Sequence, residues 1–161
     1  MQSILDNYEI LQDLWEWSLE NCSDTEMKAR IRGVASHMKL FNFFFGLCLG
    51  QALLQHADML SVALQHQDLS AAEGQALAAM TVKTLRTLRS DEQFQIFWKE
   101  TRGKATVCQV SEPSLPRHRR APARLEDGMA QPEFHTNVED HYRQIYYGVL
   151  DLLIYMPRRP V

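Results

Sequence analysis

Residues 41–54 read FNFFFGLCLGQALL and form the most apolar run of the chain. Their large apolar side chains fall on every face of a helix, and a helix that is apolar all round is expected to be buried all round. The run is too short to cross a bilayer and contains Asn42 and Gln51. It therefore predicts a long buried helix at the centre of the domain and no membrane span. The N-terminal residues show no signal-peptide pattern, so we expect a soluble, intracellular protein.

Outside this run, apolar residues recur in steps of three and four, which places them on one face of a helix. Stripes of this kind cover residues 4–22, 27–52, 77–88, 94–98 and 138–156. The Ser/Thr-x-x-Glu/Gln capping box marks helix starts, and it occurs at Ser23, Ser70, Ser90 and Thr136. No run alternates between apolar and polar residues as a half-buried strand would. We predict an all-α, multi-helix fold.

The composition changes between residues 104 and 135. Residues 112–133, EPSLPRHRRAPARLEDGMAQPE, are rich in proline and arginine and poor in large apolar side chains. Such a segment buries too little apolar surface to offset the entropy lost on ordering, so we predict one long flexible loop. The predicted organisation is a helical part over 1–103, the loop over 104–135, and a C-terminal helix over 136–161 that packs back on the same domain.

Composition and cysteine spacing exclude several classes of protein. With 161 residues and 45% hydrophobic residues, the chain is long enough for one domain with its own core. The net charge of -3 excludes a generally basic nucleic-acid binder, although a local basic patch is still compatible with it. Cys22, Cys48 and Cys108 form no close pair, which excludes zinc fingers and zinc ribbons and fits a reducing compartment.

A short basic cluster lies inside the predicted loop. It consists of Arg117, His118, Arg119, Arg120 and Arg124. Mobile arginines can neutralise phosphates and release counterions, which gives weak, non-specific affinity for DNA. The same cluster could be a nuclear import signal. A third interpretation is a solvated linker whose charges only keep it soluble.

Trp17 is the aromatic residue that we single out as a candidate for nucleic-acid contact. Exposed aromatic rings can stack on bases. Trp15 and Trp98 follow the predicted core stripes, whereas Trp17 falls off its stripe. We therefore expect Trp15 and Trp98 to pack in the core and Trp17 to be free to contact a partner.

No catalytic residue, metal site or cofactor is predicted. His56 and Asp58 are two residues apart and share no helical face, so a hydrogen-bonded pair is expected there rather than metal ligands. The capping box already explains Glu139, which leaves His135 and His141 without a third ligand. The carboxylates of the first stripe are expected to form a solvated face, and Cys48 is expected to be inert packing.

Long stretches of the chain resemble hAT-type transposase-derived proteins, the group that includes zinc-finger MYM-type proteins and the THAP-domain repressor of the protein-kinase inhibitor. They are NYEILQDLWEWSLE (7–20), DTEMKARIRGV (24–34), FNFFFGLCLGQALLQHADMLSVALQ (41–65), LSAAEGQALAAMTVKTLRTLRSDEQFQIFW (69–98) and VEDHYRQIYYGVLDLLI (138–154). In that family a helical insertion interrupts a ribonuclease H-like core whose acidic residues bind divalent metal. The resemblance implies that this chain corresponds to the insertion and that no family catalytic residue has a matching position here.

The resemblance implies a nuclear, transposon-derived fragment without enzymatic activity. Its expected role is residual contact with DNA, which would be weak and non-specific, or with a protein partner or a second copy. The alternative is a helical protein-interaction module that does not bind nucleic acid. Neither interpretation involves a small-molecule substrate.

Overall fold

Seven helices make up the architecture, and the computed structural model describes them over residues 2–65, 70–116 and 137–155. No strand occurs within these ranges, so the predicted all-α class is confirmed. The helices are α1 (Gln2–Asp6), α2 (Tyr8–Asn21), α3 (Thr25–Met38), α4 (Phe41–Leu64), α5 (Ala71–Leu88), α6 (Asp91–Val107) and α7 (Val138–Tyr155).

The apolar stripe over 27–52 is not one helix, because the chain leaves helical geometry between α3 and α4. The Tyr8 hydroxyl donates to the carbonyl of Met38 at 2.7 Å. The Ser111 hydroxyl accepts from the backbone N–H of Phe41 at 3.1 Å, and the N–H of Ser111 donates to the carbonyl of Lys39 at 2.9 Å. Groups distant in sequence therefore satisfy the backbone groups that the break exposes, as buried backbone polar atoms require.

Two of the serines predicted to open capping boxes cap helices where expected, and one of the boxes is complete. The Ser70 hydroxyl accepts from the N–H of Glu73, and the Glu73 carboxylate accepts from the N–H of Ser70. Both halves of the box are therefore present at α5. Ser90 accepts from the N–H of Gln93 at the start of α6. Each serine satisfies a backbone donor that has no partner inside its helix.

The box predicted at Ser23 is wrong by one residue. The side chain of Asp24 caps α3 by accepting from the N–H of Glu26 at 2.9 Å. Aspartate is as good an N-cap as serine and also interacts favourably with the helix dipole. Thr136 lies outside the described residues, and Asn137 accepts from the N–H of Glu139 at the start of α7.

The core forms where the first half of α4 meets α6 and α7. Phe41, Phe44, Phe45 and Leu49 are each at most 3% exposed, which confirms the prediction that they are among the least accessible side chains. Ring pairs join the three helices at centroid distances of 4.7 Å for Phe45–Tyr142, 5.5 Å for Phe41–Trp98 and 5.5 Å for Phe94–Tyr146. Such tilted and edge-to-face pairs stabilise beyond simple area burial.

The second half of α4 corrects the prediction that this helix is buried all round. In that half Leu54 is exposed, and Met59 and Val62 retain 70% and 62% of their accessible surface. Phe43, in the first half, is exposed as well. The apolar stripe continues along α4, whereas the aromatic packing is confined to its first half. Among the described residues α4 is the one helix whose length and composition alone would allow it to cross a membrane.

Helix α6 extends beyond the predicted loop boundary at residue 104 and ends at Val107. Gln109 adopts a left-handed φ of 52°, and the N–H of Val110 donates to the carbonyl of Ala105 at 2.9 Å, the bond of a Schellman C-cap. The Tyr142 hydroxyl then donates to the carbonyl of Ser114 at 3.5 Å. Residues 104–116 therefore belong to the folded domain, and the rest of the predicted loop, 117–135, lies outside the described residues.

Candidate binding groove

The structure separates the nucleic-acid candidates that the sequence predicted. Arg117, His118, Arg119, Arg120 and Arg124 all lie outside the described residues. Trp17 lies on α2 and is 62% exposed. Unlike Trp17, Trp98 is buried and Trp15 packs partly buried against the core, as their stripes predicted.

A groove of about 560 Å³ opens between α4, α5 and α7. Helix α4 contributes Leu53, Ala57 and Leu60, which are spaced by four and three and so share one helical face. Helix α7 contributes Leu153 and Ile154 from its last turn. Leu53 also belongs to the buried core, so this face of α4 extends the apolar surface of the core outward.

Helix α5 forms the opposite wall of the groove. Its apolar contributions are Ala78, Ala79, Val82 and Leu85. The alanines fill little of the space between the two helices, because a methyl group reaches only a short distance from the helix axis. Together with Ala57 on α4, they leave an apolar channel where larger side chains would have closed the interface.

The groove has one basic edge. Arg86 is the only ionisable residue among those that line it, and within the described chain its guanidinium makes no hydrogen bond or ion pair. Lys83, one turn earlier on α5, is exposed and likewise has no ion pair with a described residue. By contrast, Arg89 forms a two-bond ion pair with Asp151 and lies 5.1 Å from the Tyr147 ring. The positive charge of Arg86 is therefore available to a partner.

A second apolar surface lies on the outer face of α2. Ile10, Leu14 and Trp17, spaced by four and three, are 64%, 48% and 62% exposed; these three residues are called the α2 stripe. All four charged residues of this helix are exposed carboxylates: Glu9, Asp13, Glu16 and Glu20. The set predicted from the sequence to form a solvated face was Asp6, Asp13, Glu16 and Glu20, and all of these are exposed. Within the described residues the only ion pair they make joins Glu16 to Lys39 at 2.6 Å.

The predicted hydrogen-bonded pair of His56 and Asp58 is wrong. His56 is half-buried and Asp58 is exposed on α4, and neither side chain makes a hydrogen bond to any residue that the structure describes. The expectation depended on α4 being buried throughout, and water satisfies polar groups where the helix is open. Over the described ranges, no group of three or more His, Cys, Asp or Glu side chains is arranged to hold a metal ion.

Arg143 forms an ion-pair cluster that the sequence did not reveal. Its guanidinium binds Glu139 and Asp140 at 2.7 Å each, lies 3.2 Å from Asp91, and sits 5.0 Å from the Phe94 ring. The Glu139 carboxylate also accepts from Gln95, so it links α7 to α6. The cluster joins the starts of the two helices and is an architectural feature.

Burial makes the core thiol and phenols poor nucleophiles. It raises the pKa of Cys48 to about 11 and that of Tyr146 to about 12, because desolvation disfavours the charged form. At neutral pH both groups are therefore protonated. Cysteine reacts as the thiolate, so Cys48 is inert packing under these conditions.

Comparisons with protein-family models, with curated proteins and with solved structures find no match to this chain. The groove is therefore the feature from which a function can be argued. Sequence reasoning missed it, although two signals were present: Leu53, Ala57 and Leu60 follow helical spacing off the core stripe, and the first half of α5 is rich in alanine.

Proposed function

We propose that this chain is a non-catalytic helical domain that binds another protein in the groove between α4, α5 and α7. One observation carries the proposal, namely an open channel of about 560 Å³ whose walls are aliphatic apart from Thr81 and Arg86. Removing such apolar surface from water is favourable, and exposed apolar patches mark interaction sites.

The walls favour a protein partner over a small molecule. Small-molecule sites combine apolar walls with several polar groups that fix the orientation of the ligand. Here the Thr81 hydroxyl already donates to the carbonyl of Leu77 at 3.1 Å, which leaves Arg86 as the main polar contact. Two helices flanking an open channel instead resemble the grooves that accept the apolar face of an amphipathic helix.

Two further considerations support a non-catalytic role. The described residues that line the groove include no cysteine or serine and no acid–base pair, since Arg86 is the only ionisable residue among them. The resemblance to hAT-type transposase-derived proteins implies that the helical insertion works beside a catalytic core rather than performing chemistry. We accordingly propose a transposon-derived origin and a nuclear location for this domain.

Site-specific photo-crosslinking tests the groove as a protein-binding site. A benzophenone amino acid at Ala79, which is exposed and lines the groove, should give a discrete adduct in cells, identifiable by mass spectrometry. The same amino acid at Ile96, exposed on α6 and outside the groove, is the matched control. Equal labelling from both positions, or no adduct from Ala79, would contradict the proposal.

A second candidate function is weak, non-specific contact with DNA. The observation that favours it is the concentration of Arg117, Arg119, Arg120 and Arg124 within a short stretch of an otherwise acidic chain. Phosphate contacts by several arginines release counterions and weaken steeply with salt, whereas apolar docking beside the single Arg86 weakens much less. Salt dependence therefore separates the two functions.

A further inference from the structure

Two apolar surfaces on this chain lie beside charges of opposite sign. We propose that the α2 stripe of one copy docks in the groove of a second copy, so that the chain associates head to tail. The inference rests on the proposed function, because it names a partner for the same groove. The occupant of the groove is a second molecule of this chain.

The spacing of the α2 stripe fits a groove between helices. Ile10, Leu14 and Trp17 recur at i, i+4 and i+7, the pattern by which an amphipathic helix inserts its apolar face into a groove. Leu53, Ala57 and Leu60 have the same spacing along α4. Tryptophan is the side chain most enriched among energetically dominant interface residues, so Trp17 is the expected anchor.

The charges beside the two surfaces have opposite signs. Asp13 and Glu20 lie three or four residues from Trp17 and therefore flank it on the helix surface. Neither carboxylate has an ion-pair partner among the described residues. Arg86 lines the groove and Lys83 precedes it by one turn on α5, also without such partners, so docking would bring the two unpaired sets together.

The same charges disfavour symmetric dimers. Packing one α2 stripe against another would place carboxylates against carboxylates, and packing groove against groove would place Arg86 against Arg86. Like charges across an interface are costly, whereas complementary charges direct the encounter. The pairing of unlike surfaces is heterologous, so each copy keeps one free stripe or groove and the assembly can extend.

The expected affinity is modest. One helical face in one groove lies at the lower end of the size range of specific interfaces, so a dissociation constant of about 10–100 µM is expected. Sedimentation velocity of the wild-type chain at rising concentration should therefore show an average mass that increases past that of a dimer. Adding salt should weaken the association several-fold by screening the exposed pairs.

Two half-blocked variants give the decisive test. The stripe variant carries Leu14→Glu and Trp17→Glu, and the groove variant carries Ala79→Glu; all three positions are exposed, so the fold should persist, as circular dichroism will check. Each variant alone should remain monomeric. An equimolar mixture should form a dimer that does not extend, because it contains one intact stripe and one intact groove.

The charge contacts have their own test within the same mixture. Arg86→Glu in the partner that supplies the groove should weaken the dimer about tenfold or more. Asp13→Lys and Glu20→Lys in the partner that supplies the stripe should restore part of the lost affinity. A mixture that stays monomeric, a variant that dimerises alone, or a wild-type chain that is monomeric throughout would overturn the proposal.

Failure of this proposal can be distinguished from failure of the groove as a protein-binding site. If the wild-type chain is monomeric while Ala79 crosslinks to a different protein, self-association is wrong and the groove function stands. If Ala79 gives no adduct and the chain is monomeric, both are wrong. A crosslink from Ala79 to α2 of a second copy supports both.

Discussion

Truncating Phe45 should destabilise the fold more than any comparable change on α4. Its ring is 1% exposed and has four aromatic neighbours, with centroids 4.7 Å away for Tyr142, 5.5 Å for Phe97, 6.1 Å for Phe41 and 6.2 Å for Trp98. Phe→Ala in a core typically costs about 3–5 kcal/mol. Each aromatic pair adds about 0.5–1.5 kcal/mol beyond area burial, so we expect Phe45→Ala to fall near the upper end, at about 4–5 kcal/mol.

Phe43→Ala is the matched control, since Phe43 lies on the same helix, two residues away, but is 41% exposed. The higher helix propensity of alanine, worth about 0.5 kcal/mol, offsets part of the lost packing, so this change should cost about 1 kcal/mol or less. Urea unfolding followed by circular dichroism measures both losses, with an unchanged slope as the check on two-state behaviour. For a chain of this length, the Phe45 loss corresponds to a fall in Tm of about 8–20 °C.

The reasoning would be refuted by a loss below about 1 kcal/mol for Phe45→Ala, well under the range for a buried phenylalanine. Similar losses for the two variants would be equally damaging. Either result would mean that α4 does not pack its Phe41, Phe45 and Leu49 face against α6 and α7.

Three other predictions follow from single features of the chain. Gln109→Gly should raise the free energy of unfolding by about 1 kcal/mol, measured by urea titration, because Gln109 has a left-handed φ that glycine adopts without strain; a loss of stability would contradict the C-cap. Burial raises the pKa of Tyr146 from 10.0 to about 12, so the unfolded state loses its proton first and stability should fall as pH rises from 10 through 12. Tyr146→Phe should make that fall in stability shallower. A variant whose stability falls as steeply as that of the wild type from pH 10 to 12 would contradict the role of Tyr146. Changing Arg117, Arg119, Arg120 and Arg124 together to alanine should abolish most of the salt-dependent DNA affinity in a fluorescence anisotropy titration and leave the helical signal intact; tight, sequence-specific binding by this variant would place the DNA contact elsewhere.

Helical spacing predicted the fold class and much of the core, because the stripes reflect a property local to each helix. Phe41, Phe44 and Phe45 are buried as expected. Spacing shows which face of a helix is apolar but not how far a neighbouring helix extends along it. That is why α4 was predicted to be buried throughout although Met59 and Val62 are exposed.

The ends of helices were predicted well where local groups decide them and poorly where distant groups do. Ser70 caps α5 through a residue three positions away, which a sequence pattern can reveal. The break between α3 and α4 depends on Tyr8 and Ser111, which are distant in sequence, so no local pattern could indicate it. No local pattern could indicate the groove either, because residues from three helices form it.

The contact between Ser114 and Tyr142 has a consequence for how this domain can change over time. Leu115 and Pro116 lie beside His141 and Tyr142, so the chain leaves and re-enters the helical body at nearly the same place. Doubling the length of a segment closed in this way costs only about 0.6 kcal/mol. We therefore expect the seven helices to persist when the sequence between Pro116 and Asn137 is lengthened, shortened or exchanged. The arginine cluster could evolve independently of the scaffold that carries it, and the same position is a natural site for inserting a reporter domain.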